Sequence, residues 1–244
     1  MPVLTLVYGL PIQEAVGVSL IGIIATSTGA ASYYVQQGLS NIRLGMVLET
    51  ATTIGSIIGA TLAVYAEEEL LALAFAMVLT YSSVYMIRRP ERLACPNGGR
   101  TGAITGSYMD PVEDCEVEYG VRNLKGGMLA SAFAGSMSGM LGLGGGSIKV
   151  PVMNILMGVP IRAATATSNF MIGVTALAGA IIYYANDLIS PVIAATVAIG
   201  VFFGSVSGSR VAMNMRRGAI KRYFALLLLF ISALMVLEAV GVLA

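Results

Sequence analysis

Histidine and tryptophan are absent from this chain of 244 residues, cysteine occurs only twice, and charged side chains make up 11% of it. Each shortage excludes a class of function. Cys95 and Cys115 share one polar stretch with no further cysteine or histidine to join them, so a zinc set cannot be completed. No histidine can act as general base and no cysteine falls within an apolar run, which makes a catalytic constellation hard to assemble. The sequence therefore points away from an enzyme and offers no catalytic residue, no metal ligands and no cofactor motif. Net charge is +1 without a long block of like charges, so nothing supplies the basic field that nucleic acid requires. Nor does Met1-Pro2-Val3-Leu4 resemble the basic start of a removable leader.

What is present is apolar. Such side chains make up 57% of the chain, far above the balance of a soluble domain, and the sequence reads as an integral membrane protein surrounded by a lipid bilayer. Residues 2–10 are too short to cross. Runs that are long enough occur at 12–37, 42–65, 67–88, 121–142, 161–186, 188–213 and 220–243, which gives about seven spans at roughly 20 residues each. Connectors are short except at 89–118, where Pro90, Pro96, Gly98, Gly99, Asp110 and Pro111 supply turn chemistry. The expectation is an all-α membrane protein in three parts: a first repeat over 1–88, a polar loop over 89–118, and a second repeat over 119–244.

The repeat is visible in the residues. At one constant offset Pro2-Val3 recurs as Pro151-Val152, Gly9 as Gly158, Pro11 as Pro160, Ala15 as Ala164 and Ser19 as Ser168. Gly55-Ser56 recurs as Gly204-Ser205 and Gly59 as Gly208, and Tyr33-Tyr34 meets Tyr183-Tyr184 after a slip of one. Charge then orients the copies. Glu67-Glu68-Glu69 corresponds to a connector carrying Arg216, Arg217, Lys221 and Arg222, and the cluster Arg88, Arg89 and Arg92 corresponds to a terminus with only Glu238. Because Lys and Arg stay cytoplasmic, equivalent loops fall on opposite faces, and the repeat is inverted. Arg43 inside and Asp187 outside agree. This places the central loop in the cytoplasm of a plasma-membrane protein and the C-terminus outside.

Arg122, Lys125 and Arg162 should all lie inside, so the chain between them must enter and return. The place to turn is Leu141 to Pro160, where Gly142, Gly144, Gly145 and Gly146 favour an opened backbone and Pro151 and Pro160 each remove an amide donor. The expected form is a broken glycine-rich hairpin with a long first arm and a short second arm over about 147–157. Broken backbone at membrane depth is tolerated only where it is buried in protein or lines a polar cavity, so the bend marks a binding or permeation site. Amides uncovered at a helix start bind anions. Ser147 lies at that start, and Thr165, Thr167, Ser168 and Asn169 add hydroxyl and amide groups at the next span. The corresponding set in the first copy is Gly17 and Ser19.

Other residues carry two readings. Lys149 either fixes an anion or snorkels to an interface from a short helix. Glu49, an acid inside a span, marks an ion or proton pathway or an interface contact near Arg43. Arg162 reads as an anchor on the positive side, and Tyr33, Tyr34, Tyr183 and Tyr184 as interfacial belt residues. Gly55, Gly59, Gly204 and Gly208 read as helix-packing positions, and the many methionines as packing filler. Both cysteines read as reduced bystanders.

Gly-Leu-Gly-Gly-Gly-Ser-Ile-Lys-Val-Pro at 142–151, followed by Gly-Val-Pro at 158–160 and Ala-Thr-Ala-Thr-Ser at 164–168, resembles the sulfite exporter TauE/SafE family of membrane anion transporters. The likeness extends over essentially the whole chain, including Gly-Leu-Pro at 9–11. It implies transport of sulfite, sulfonates or related sulfur oxyanions, with Gly142, Gly144, Gly145, Gly146, Pro151, Thr165, Thr167 and Ser168 at the site. The family carries a glycine-rich hairpin in each half, whereas this sequence opens at Met1-Pro2, where the first should already have ended; either a start assigned too late or a protein that functions with a half-built first copy would account for that, and the former is the favoured expectation. The leading expectation is a secondary transporter that moves a small sulfur-containing oxyanion by alternating access. A glycine-lined anion channel is the alternative, and association into a homo-oligomer is left open.

Overall fold

The computed structural model describes residues 4–5, 8–67, 69–74, 77–78, 80, 104–110 and 115–214. Helix α1 runs over Ile12–Gln36 and α2 over Ile42–Val64, and strands β1 (Thr105–Asp110) and β2 (Cys115–Gly120) follow in the polar loop. Then come α3 (Leu124–Leu141), the short α4 (Gly146–Pro151) with a π-helical turn over Val152–Leu156, α5 (Ile161–Ala185) and α6 (Pro191–Asn214). Among the described residues four helices are long and apolar enough to cross a membrane: α1, α2, α5 and the Pro191–Gly208 part of α6. The expected spans at 67–88 and 220–243 lie largely or wholly outside the described residues, as do most of the charges that oriented the repeat.

Helix α3 is not among those four. Its inward face is built from Gly127, Ser131, Ala134, Gly135, Ser138 and Gly139, so it is too small and polar to face lipid. It packs against α2 instead, in parallel. A Cβ added at Gly55 would strike the carbonyl of Ala132, and one at Gly59 that of Ser136; in return, one at Gly135 would strike the carbonyl of Thr52 and one at Gly139 that of Ser56. Two small-residue ridges thus bring the helix backbones into contact. Close packing of this kind supplies association where lipid removes the hydrophobic driving force. The outer face of α2 carries exposed Ile54, Ile57, Ile58 and Leu62, as a lipid-facing surface requires. Gly55 and Gly59 thus pack as expected, whereas Cβ atoms at Gly204 and Gly208 would meet nothing within 4 Å among the described residues.

The polar loop corrects the all-α expectation. β1 and β2 pair antiparallel, with Tyr108 opposite Val117 and Gly106 opposite Tyr119. The alternation is that of a half-buried strand: Tyr108, Val117, Tyr119 and Val121 are buried, whereas Met109 and Glu116 are exposed. The hairpin sits over the entry to α2, where the Asn41 amide donates to the Tyr119 hydroxyl at 3.2 Å. Burial raises the Tyr119 phenol above its ordinary titration range, and that hydrogen bond opposes the shift. A shallow cavity of about 250 Å³ lies there between Gly38–Ile42 and Thr105–Ser107; no charged side chain lines it.

Candidate functional site: the glycine bend and a buried charge pair

The helix breaks between α3 and α4 where three glycines adopt the left-handed backbone that side chains disfavour. Gly142 ends α3 with φ 61°, its N–H donating to Ser138 O at 2.9 Å, and Gly144 and Gly145 follow at φ 70° and 68°. Lys149 N then donates to Gly145 O at 2.9 Å, which starts the short returning arm. At the foot of the hairpin Arg122 N donates to Met157 O at 3.0 Å, so the two arms end at the same level. Long and short arms thus fall where the sequence placed them.

Neighbouring helices close tightly on the bend. The Cβ positions of Gly144 and Gly146 lie 2.8 Å from Ile172 side-chain atoms, that of Gly142 lies 3.2 Å from Val16, and that of Gly145 lies 3.0 Å from Ala134 O. Tyr183 adds a tie from α5, its hydroxyl donating to Gly139 O at 3.2 Å or Met140 O at 3.3 Å. Tyr183 is therefore no belt residue. It is fully buried, whereas Tyr184, rotated by one helical position, is exposed. Tyr33 and Tyr34 are half-buried and meet edge to face.

Lys149 does not snorkel. It is 1% exposed, and its Nζ donates to Thr175 Oγ1 at 2.7 Å. The same Thr175 hydroxyl donates to Glu49 Oε1 at 2.7 Å, so a threonine bridges ammonium and carboxylate. Thr53 also donates to Oε1, at 3.3 Å. Glu49 Oε2 is 3.9 Å from Lys149 Nζ and has no hydrogen-bond partner among the described residues. The hydroxyls of Ser131, Ser138 and Ser168 are likewise buried and unpartnered there. Two of them flank the bend. The Cβ position of Gly145 is 3.2 Å from Ser138 Cβ and 3.4 Å from Lys149 Cε, and that of Gly146 is 3.5 Å from Ser168 Oγ. Among the described residues the centre thus has a cation with donors to spare, two unpartnered hydroxyls and a glycine turn free of side chains, a donor set suited to an oxyanion.

The structure separates the expected site residues. Gly142, Gly144, Gly145, Gly146, Lys149 and Ser168 gather at this centre, with Ser147 and Pro151 in the short arm. Thr165 is exposed and donates to Ile161 O at 2.8 Å, while Asn169 donates to Thr165 O at 3.1 Å. Thr167 is buried but occupied, accepting Asn41 N–H at 2.9 Å where α2 begins. Gly17 is a packing position, its Cβ site 2.7 Å from Leu188 O, and Ser19 donates to Ala15 O at 2.6 Å. α1 reaches the bend through Val16 and Ile23 instead. Glu49, read as an ion or proton pathway or an interface contact near Arg43, was not placed with the anion-binding residues, and Thr175 was not singled out. An acid inside an apolar run was the available signal for Glu49; Thr175 gave none.

The model of the family described as sulfite exporter TauE/SafE matches residues 1–235. The chain belongs to that family. It is 23% identical over 228 residues to a protein of Bacillus subtilis (strain 168) named probable membrane transporter protein YunE, covering 93% of this chain and 82% of the relative. It is 24% identical over 219 residues to probable membrane transporter protein YdhB of the same organism, covering 89% and 82%. No solved structure matches it. Family and relatives indicate a membrane transporter rather than an enzyme, the family description implies a small anion as substrate, and the apolar helices agree with a multi-pass membrane protein.

Proposed function

We propose that this TauE/SafE family member is a secondary transporter for a small sulfur-containing oxyanion such as sulfite or a sulfonate. It works by alternating access of two inverted halves. The observation that carries this reading is Lys149, buried beside the glycine bend with the unpartnered hydroxyls of Ser138 and Ser168 against the same turn. Lys149 supplies the charge, the hydroxyls supply directed donors, and the glycines let an anion approach the backbone. The central loop is read as cytoplasmic and the C-terminus as external, from the charge pattern of the sequence.

The close approach of Val16 and Ile172 to Gly142, Gly144 and Gly146 favours a carrier over a fixed pore, because helices packed this closely leave little room beside the bend for a standing channel. The test is uptake of radiolabelled sulfite and methanesulfonate by proteoliposomes containing the full chain, with and without an imposed pH gradient. Saturable, concentrative uptake that falls on replacing Lys149 by Met supports the carrier. Flux that never exceeds equilibrium would establish the channel instead, and no flux of either anion would exclude this substrate class.

A further inference from the structure

We propose that Glu49 is the coupling residue of this transporter: it is a resident carboxylate that competes with the substrate anion for Lys149, so one anion binds together with one proton on Glu49. This rests on the oxyanion reading above and extends it to the coupling ion.

The geometry is that of a pair built to separate. Carboxylate and ammonium do not touch. Thr175 stands between them, accepting from Lys149 at 2.7 Å and donating to Glu49 Oε1 at 2.7 Å, while Oε2 lies 3.9 Å from Nζ. A charge-assisted contact closes to about 2.7–2.9 Å. Oε2 is thus a buried carboxylate oxygen with no donor among the described residues, and it is the atom that receives the proton. When an anion takes Lys149, Thr175 keeps its proton directed at Oε1, and the centre retains its shape.

Charge balance makes the coupling obligatory. With Glu49 ionised and no anion bound, Lys149 and Glu49 sum to zero. An anion alone would leave one net negative charge, and a proton alone one net positive, inside a membrane protein where an uncompensated charge is costly. With both bound the sum returns to zero. The empty and doubly loaded forms can therefore reorient, and the half-loaded forms cannot. The step is a protonation only: the Glu49 carboxylate takes a proton from the side the anion enters and releases it where the anion leaves.

Among the described residues no other charge stands at this level. Among the described residues, α4 brings only Lys149, and α3 brings only Lys125, exposed in its first turn. On α5, Arg162 lies roughly 20 Å along the helix before Thr175, and Tyr183 donates to α3. On α2 itself Arg43 is exposed near the start. α1, which packs on α5, carries Glu14 in its first turn and Tyr33 and Tyr34 in its last.

The test uses the purified full chain in weakly buffered detergent with a pH-sensitive dye, titrated with methanesulfonate, whose own charge is constant near neutral pH. About one proton should be taken up per anion bound, and affinity should fall about tenfold per pH unit once Glu49 is ionised in the free protein. Glu49→Gln should bind methanesulfonate without proton uptake and with a flat pH profile. In proteoliposomes that variant should exchange anion for anion yet fail in net uptake, because its empty form is charged; a merely structural role would lower both alike. Binding to wild type without proton uptake, or gradient-driven net uptake by Glu49→Gln, would overturn the coupling and leave the anion site standing. Should the variant not fold, the wild-type proton stoichiometry decides alone. Should neither methanesulfonate nor sulfite bind wild type, the anion reading fails and the coupling with it.

Discussion

The hydroxyl of Tyr183 on α5 reaches the carbonyl of Gly139 on α3 at 3.2 Å, one turn before the backbone opens at Gly142. Carbonyls in a last helical turn lack intrahelical partners, and here a buried phenol serves two of them in alternation. Tyr183 therefore satisfies carbonyls at the end of α3 where the glycines open the backbone.

Tyr183→Phe should lower stability by about 0.5–1.5 kcal/mol, the net worth of a buried hydrogen bond. Tyr184→Phe should change nothing measurable, since that side chain is 66% exposed. Thermal unfolding of the purified protein in detergent checks both. Equal effects would mean that the Tyr183 hydroxyl makes no net contribution.

The contact of α2 with α3 makes a sharper contrast. Gly59 touches the Ser136 carbonyl, so Gly59→Ala forces the helices apart and should cost about 1–3 kcal/mol, as overpacking does. Gly204→Ala, where a Cβ meets no described residue within 4 Å, should stay within about 0.5 kcal/mol. Unfolding temperatures of the two variants measured side by side decide it.

How much of this was legible in the sequence follows from what each signal depends on. The helices Ile12–Gln36, Ile42–Val64 and Ile161–Ala185 were readable because length and hydropathy are local properties, and the bend was readable because three of its glycines need positive φ. The bridge from Glu49 to Thr175 joins residues 126 apart, which no local pattern reports. Tyr183 and Tyr184 look identical in sequence, and only the rotation of α5 buries one and exposes the other. Gly55 and Gly204 sit at equivalent places in the expected repeat, yet among the described residues a helix lies against Gly55 and none against Gly204. The β-hairpin escaped because turn residues dominated the loop, although Tyr108, Val117, Tyr119 and Val121 show the alternation that would have found it.

Lys149 and Glu49 should also behave as a pair in stability. Glu49→Leu leaves a buried ammonium without its counter-charge and Lys149→Met a buried carboxylate without its own, and removing one partner of a buried pair costs about 3–5 kcal/mol. Replacing both, as Lys149→Met with Glu49→Leu, removes the charge as well as its partner and should recover most of that loss. Membrane yield and thermal unfolding of the two single variants and the double form a cycle. Additive losses would show that the residues do not compensate one another.

Ser168 and Thr165 lie one helical turn apart and separate site from scaffold. Ser168 Oγ is buried at the bend without a partner, whereas Thr165 faces outward and bonds back to Ile161 O. If Ser168 donates to the anion, Ser168→Ala removes one hydrogen bond to a charged group, worth about 1.5–3 kcal/mol, and should weaken methanesulfonate binding roughly tenfold or more. Thr165→Ala removes only a local back-bond and should bind as wild type does. Thr167→Val tests a third role: its hydroxyl accepts the Asn41 amide, so the loss should appear as lower thermal stability at the start of α2 with anion affinity retained. Dissociation constants and unfolding temperatures for the three variants separate these outcomes, and a Thr165→Ala variant that binds as poorly as Ser168→Ala would move the anion away from the bend.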